Sequence, residues 1–310
     1  MYLVCGEALF DCFVDQAPSS PEGVEIQAVA GGSPLNVARG IARMGGRAAF
    51  FGGLSTDDLG DRLHRLLESE GVETRFVRRV AASTPLSFVG TDRAGLPSYV
   101  FYNQGTAECA ITLEDIPVLD EGIHGLHIGS YPLTVNPIAD ALFALVRDRK
   151  ESFISLDPNV RPAIVPDMQR WRERVEAMVS HTNLVRTSIE DLEHLYPMQS
   201  VDEIARRWLA SGPDLVIVTC GYDPVLAWGA SGERIEYRPR SVDVVDTVGA
   251  GDTFQAALLT RIAELGPPKD IVRGIAEDAL GEILAFAASA AVITCQRRGA
   301  DLPSRADIEH

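Results

Sequence analysis

Lysine is almost missing from this 310-residue chain: of 28 basic residues only Lys150 and Lys269 are lysines, and the rest are arginine. Both lysines fall in polar helix or loop contexts, which argues against a catalytic lysine. The formal net charge is −16, and no stretch reaches the basic density of a nucleic-acid footprint. Any phosphate site must therefore be local, built from amides and a few arginines. Cysteine is sparse and scattered. Cys5, Cys12, Cys109, Cys220 and Cys295 form no Cys-x-x-Cys or His/Cys cluster, and the six histidines lack metal spacing. Buried free thiols in a reducing, cytoplasmic compartment are expected instead. The longest apolar stretch, 283–294, is too short and alanine-rich for a membrane span. Met1 leads straight into a strand-like run, with no signal-type segment. No Gly-x-x-x-x-Gly-Lys-Ser/Thr is present. Gly6-Glu7 is not a full dinucleotide fingerprint, and Gly129-Ser130-Tyr131 is not a nucleophile elbow.

What is there begins with Asp246-Thr247-Val248-Gly249-Ala250-Gly251-Asp252-Thr253-Phe254. Small residues let the backbone N–H groups of Gly249, Ala250 and Gly251 face an anion. Asp252 follows in what reads as the first turn of a helix, where the dipole favours its ionised form. A phosphoryl group held by those amides would lie close to a hydroxyl polarised by Asp252. Taken alone, Asp252 would be read as an ordinary helix N-terminal cap.

With 46% hydrophobic residues the chain can bury a large core. Strand-like runs at 2–5, 48–52, 125–128, 152–156, 184–186 and 215–219 are separated by helical patterns at 57–71, 136–150, 168–179, 190–195 and 201–210. Helices are also expected from Ser33 to about Gly45, with Ser33 as cap and Pro34 at the first helical position, and over 252–265 and 271–291. The βα alternation over 125–220 predicts a mostly parallel sheet covered by helices. The strand-only regions 11–30 and 83–103 predict a small separate sheet, the second as a hairpin turning at 92–97. A last hairpin is expected over 225–240.

Two signatures at opposite ends of the chain carry a resemblance. One is Gly31-Gly32-Ser33-Pro34-Leu35-Asn36-Val37-Ala38, the other the glycine-rich segment ending in Asp252. Gly52-Gly53-Leu54-Ser55-Thr56-Asp57, Asp157-Pro158-Asn159-Val160-Arg161 and Thr219-Cys220-Gly221 lie between them in the family's order. The chain resembles the ribokinase-like (PfkB) carbohydrate kinases over essentially its whole length, and their bacterial fructokinase branch most. The resemblance implies one α/β domain over 1–310, doubly wound, with a small β lid contributed by 11–30 and 83–103. It also implies ATP and magnesium, a sugar bound under the lid, and pairing through the lid as a homodimer. The activity implied is phosphorylation of D-fructose at its 6-hydroxyl. 2-Keto-3-deoxygluconate is the alternative acceptor, and a non-catalytic sugar-binding protein on the same fold is the alternative class.

The resemblance assigns Asp252 as base, with the amides of Gly249, Ala250 and Gly251 as the anion hole. Asp11, Gly32 and Asn36 match sugar contacts. Asp11 would otherwise be a solvent-facing lid residue, and Asn36 a polar surface position. Phe101 and Asn103 would close over the sugar, and Arg161 would contact substrate or phosphate. Phe101 as lid core and Arg161 in a surface ion pair are the rival readings. On the nucleotide side stand Arg186, Thr219 and Gly221. The family's Asn-x-x-Glu reads Ser188-Ile189-Glu190-Asp191 here. Direct metal ligands therefore stay open, with Asn159, Glu190 and Asp191 as water-mediated candidates for magnesium. Asp246, with nearby loop carbonyls, resembles a monovalent-cation region and raises potassium activation as an expectation.

Overall fold

The computed structural model describes residues 1–14, 22–91 and 97–309. The expected hairpin turn at 92–97 thus lies largely outside the described residues. In chain order the elements are β1 (Tyr2–Cys5), β2 (Leu9–Val14), β3 (Ile26–Gly31), α1 (Ser33–Arg43), β4 (Ala48–Phe51), β5 (Gly53–Ser55), α2 (Asp58–Ser69), β6 (Arg78–Val80), β7 (Leu86–Thr91) and β8 (Pro97–Tyr102). There follow β9 (Gly125–Gly129), α3 (Ile138–Arg147), β10 (Phe153–Asp157), α4 (Met168–Val179), β11 (Leu184–Ser188), α5 (Ile189–Leu195), α6 (Val201–Ser211) and β12 (Leu215–Thr219). The chain ends with β13 (Val225–Trp228), β14 (Arg234–Tyr237), α7 (Ala250–Leu265), α8 (Pro268–Arg273), α9 (Glu277–Cys295) and α10 (Arg305–Glu309).

Among the described residues, the main sheet has eight strands in the order β14-β13-β12-β11-β10-β9-β1-β4. From β4 to β12 every pairing is parallel, while β13 and β14 join antiparallel. The parallel strands are buried on both faces, which explains their unbroken apolar runs. Alternate residues feed two cores. Tyr2 and Val4 pack with α1, α7 and α9, whereas Leu3 and Cys5 pack with α3, α4 and α6. This is the doubly wound α/β architecture that the family resemblance implies.

A second sheet, in the order β3-β2-β7-β8, assembles the two strand-only regions. Its central pair β2–β7 is parallel and both outer pairs are antiparallel. Leu9, Asp11 and Phe13 line a cavity together with Ser87, Val89 and Phe101. The register places Cys12, Phe88 and Val100 side by side on the opposite face.

Three sequence expectations are corrected. The helix expected over 271–291 is two helices, because Gly274 ends α8 and the chain restarts at Glu277 with two acidic residues in its first turn. By length and composition α9 could cross a membrane, being longer than its most apolar stretch suggests. Here Leu280, Ile283, Leu284, Ala287 and Ala290 are buried in the core. Ser33 does not cap α1. Gly32 is the N-cap, and the Ser33 hydroxyl is turned to Asp252 instead. The small parallel pair β5–β6 has no sequence signal, since each strand is three residues long and Arg78 and Arg79 are exposed.

Candidate active site

The chain goes one way from β1 to β4 and then crosses to the other side of β1 to form β9. The sheet's topological switch point therefore lies between β1 and β9, where open α/β sheets place ligands. At the carboxyl end of the strands lies a cavity of about 1140 Å³. Glu7, just past β1, and Ser130, just past β9, line it side by side.

Asp252 sits in the first turn of α7, after the N-cap Gly249, whose φ of 80° is left-handed and suits glycine. Its two carboxylate oxygens are held from α1. Ser33 Oγ donates to Oδ1 at 2.7 Å, and Asn36 Nδ2 donates to Oδ2 at 2.8 Å. Burial, the largest influence, lifts Asp252 above the usual carboxylate range, opposed by Ser33, Asn36, Arg161 and Arg186. Desolvation thus opposes the charge that the helix N-terminus was expected to favour. Of the three amides expected around an anion, that of Ala250 donates to the Thr247 carbonyl at 3.2 Å. A Cβ at Gly251 would lie 3.0 Å from Arg186 Nη1, so any larger residue there must push back the guanidinium by a few tenths of an ångström.

On the small-sheet side, Asp11 faces the cavity, and burial raises its pKa against the Ser87 hydroxyl and Arg161. Arg161 also lines the cavity and is charge-coupled to Glu7, Asp11 and Asp252. It serves several site carboxylates rather than a surface ion pair. Gly32, at φ 107°, allows close approach: a Cβ would lie 2.9 Å from the Glu7 carbonyl oxygen. Asn36 is buried and its Oδ1 has no protein partner. Phe101 lines the cavity, whereas Asn103 is not among the lining residues and its carbonyl accepts from the Thr106 hydroxyl.

On the other side, Arg186 lines the cavity but is committed. Its Nη1 donates to Asp157 Oδ2 at 2.7 Å and its Nη2 to Thr219 Oγ1 at 2.6 Å. Thr219 is thereby engaged, while Gly221, at φ 58°, has open space around it. Asn159 lines the cavity in a left-handed conformation, φ 42°. Asp191 is spent on structure. It accepts the Val160 amide at 2.7 Å and closes a capping box with Ser188. Glu190 beside it is exposed and lines the cavity. Asp246 is not a lining residue. Its carboxylate accepts the amides of Val248 and Gly299, at 3.0 and 2.8 Å, and so shapes the loop. The described residues contain no group of three or more His, Cys, Asp or Glu that could hold a metal.

Sequence reasoning missed several lining residues: Glu7, Ser33, Ser87, Tyr131, Arg238 and Arg240. Only Glu7 carried a signal, being a carboxylate directly after a buried apolar strand. The others reach the cavity through tertiary packing.

The model of the pfkB family carbohydrate kinases matches residues 1–307. The chain belongs to the PfkB family. As such it is an ATP-dependent carbohydrate kinase. It is 34% identical over 267 residues to a fructokinase of Rhizobium leguminosarum bv. trifolii, covering 84% of this chain and 79% of that protein. Its fold is similar to fructokinase from Xylella fastidiosa with bound ATP, at a TM-score of 0.89 and 26% identity, covering 99% and 96% of the two chains. It is also similar to a double mutant of Vibrio cholerae O395 fructokinase bound to fructose, ADP and potassium, at 0.84 and 26%, covering 99% and 96%.

Proposed function

We propose that this kinase transfers the γ-phosphoryl group of ATP to the 6-hydroxyl of D-fructose, with Asp252 as base. One observation carries the reading. The Asp252 carboxylate, fixed at both oxygens, stands at a glycine-rich helix N-terminus in a cavity that Asp11, Asn36 and Arg161 also line. Those groups suit a neutral polyhydroxy acceptor, because a carboxylate and an amide can take and give several hydroxyl hydrogen bonds. In the reaction the acceptor oxygen forms a bond to the γ-phosphorus, the bond to the β-phosphate oxygen breaks, and the hydroxyl proton passes to Asp252. The amides of Gly249 and Gly251 would face the charge that builds on the transferred group, that of Ala250 being spent on Thr247. Phe101 and the small sheet close the sugar side and exclude water.

The nucleotide side is supported by apolar lining residues, Val242, Val244, Val248, Ala288 and Val292, which suit a base. Arg238 and Arg240, exposed and lining the same cavity, would supply positive charge that the committed Arg186 does not. Magnesium, which neutralises nucleotide phosphates when bound, needs few protein ligands. Glu190 would hold it through water, with Asn159 alongside; Asp191 is already occupied. Potassium would be held by carbonyls of the loop that Asp246 shapes, since the carboxylate itself is spent on the amides of Val248 and Gly299. All five cysteines are free, which suits a cytoplasmic setting. The outward apolar face of the small sheet suits pairing of two copies.

The test is coupled ADP release with Mg-ATP over fructose, 2-keto-3-deoxygluconate, ribose, glucose and adenosine. Preference for fructose supports the proposal. Preference for another acceptor overturns the fructose assignment, and binding of sugar without turnover of any acceptor overturns the catalytic reading.

A further inference from the structure

A carboxylate offers about four hydrogen-bonding positions. On Asp252 two are filled, both from the first turn of α1: Ser33 on Oδ1 and Asn36 on Oδ2. The N-cap of that helix is Gly32, which has no side chain to satisfy the first amide. Glu7 does so instead, its Oε1 accepting the Ser33 N–H at 3.2 Å. Glu7 is 2% exposed, lines the cavity, and has no protein partner at Oε2. Ser33 is thus pinned by its backbone on one side and presents its hydroxyl to Asp252 on the other.

We propose that Ser33 is a positioning residue for phosphoryl transfer, anchored by Glu7, whose hydroxyl orients Asp252 so that a free lone pair of the carboxylate meets the acceptor's hydroxyl proton. The inference rests on the reading of Asp252 as base. The charged groups around Asp252 are Arg161 after β10, Arg186 on β11, Asp157 on β10 and Asp11 on β2. Glu7 lies in the same field through Arg161. Removing the Ser33 hydroxyl takes a donor from the ionised form alone, so the base protonates more readily and the acid limb of the kcat profile moves to higher pH.

The experiment measures kcat and sugar KM across pH for Ser33→Ala, Ser33→Thr, Glu7→Gln and Asp252→Asn, with a thermal melt of each. Ser33→Ala should lower kcat roughly tenfold near neutrality, with a much smaller change in KM, and raise the acid limb. Ser33→Thr, which restores a hydroxyl, should bring both back. Glu7→Gln still accepts the Ser33 amide but cannot titrate, so the acid limb should persist. Loss of the limb in that variant would assign it to Glu7 and overturn the proposal. An unmoved limb in Ser33→Ala overturns it too, whatever kcat does. Should the alanine variant melt early, Glu7→Leu, which keeps the hydroxyl and removes the anchor, must reproduce the limb shift or the proposal fails. Full turnover in Asp252→Asn would sink the base reading itself, an outcome distinct from these.

Discussion

Arg186 and Asp157 form an ion pair with 2.7 Å between Nη1 and Oδ2, and both side chains are almost wholly buried. Burial pushes the Asp157 carboxyl up to about 6, so the pair remains ionised at neutral pH. Asp157 Oδ1 and Arg186 Nε have no protein partner, which makes the pair costly to break. Arg186→Met should destabilise the fold by about 3–5 kcal/mol, because it strands a buried carboxylate. Adding Asp157→Leu should recover part of that loss. Urea unfolding of the two proteins checks this; equal midpoints for Arg186→Met and wild type would refute it.

Asp252→Asn should lower kcat at least about 100-fold, the low end of what a positioned base contributes. Its melting temperature should stay at or above that of the wild type, since burial disfavours the charge it removes. Coupled kinetics and a melt in parallel separate chemistry from folding.

Glu7 gives the stability a pH dependence. Burial pushes its carboxyl from the ordinary 4.5 up to about 8. An acid with a raised folded pKa favours the folded state fully below its unfolded value, and that contribution is lost as pH rises through the folded one. The contribution of Glu7 to wild-type stability should therefore fall between pH 4.5 and about 8. Glu7→Gln should flatten that fall by a few kcal/mol. Melts in a pH series would show it, and parallel curves for the two proteins would contradict it.

The small sheet carries Val100 at 53% and Tyr102 at 61% exposure, with Ile26 at 45%. The Tyr102 ring meets Phe88 edge-on at 5.4 Å between centroids. If two copies pair there, wild type should scatter light as a dimer, and Val100→Lys with Tyr102→Glu should shift it to monomer. A wild-type monomer at working concentration rules the pairing out.

Substitution at Gly251 tests the crowded helix start. Gly251→Val should lower activity sharply, because its Cβ would press on an Arg186 held by two partners. Wild-type kinetics from that variant would show the helix start to be tolerant.

The sequence by itself determined the layers. Unbroken apolar strands at βα spacing require a sheet buried on both faces, and β9 through β12 sit where the pattern puts them. It also determined the glycine-rich turn before Asp252, because few residues other than glycine tolerate the φ of 80° at position 249. Only the tertiary structure decided what each polar group does. Arg186 and Asp191 look available in sequence, yet Asp157, Thr219 and the α5 cap consume them. Ser33 looks like a cap, yet its hydroxyl turns to a carboxylate 219 positions away. Local patterns report which backbone a residue prefers. A buried polar side chain must find its partner wherever the fold brings one, and that pairing is written in no local pattern.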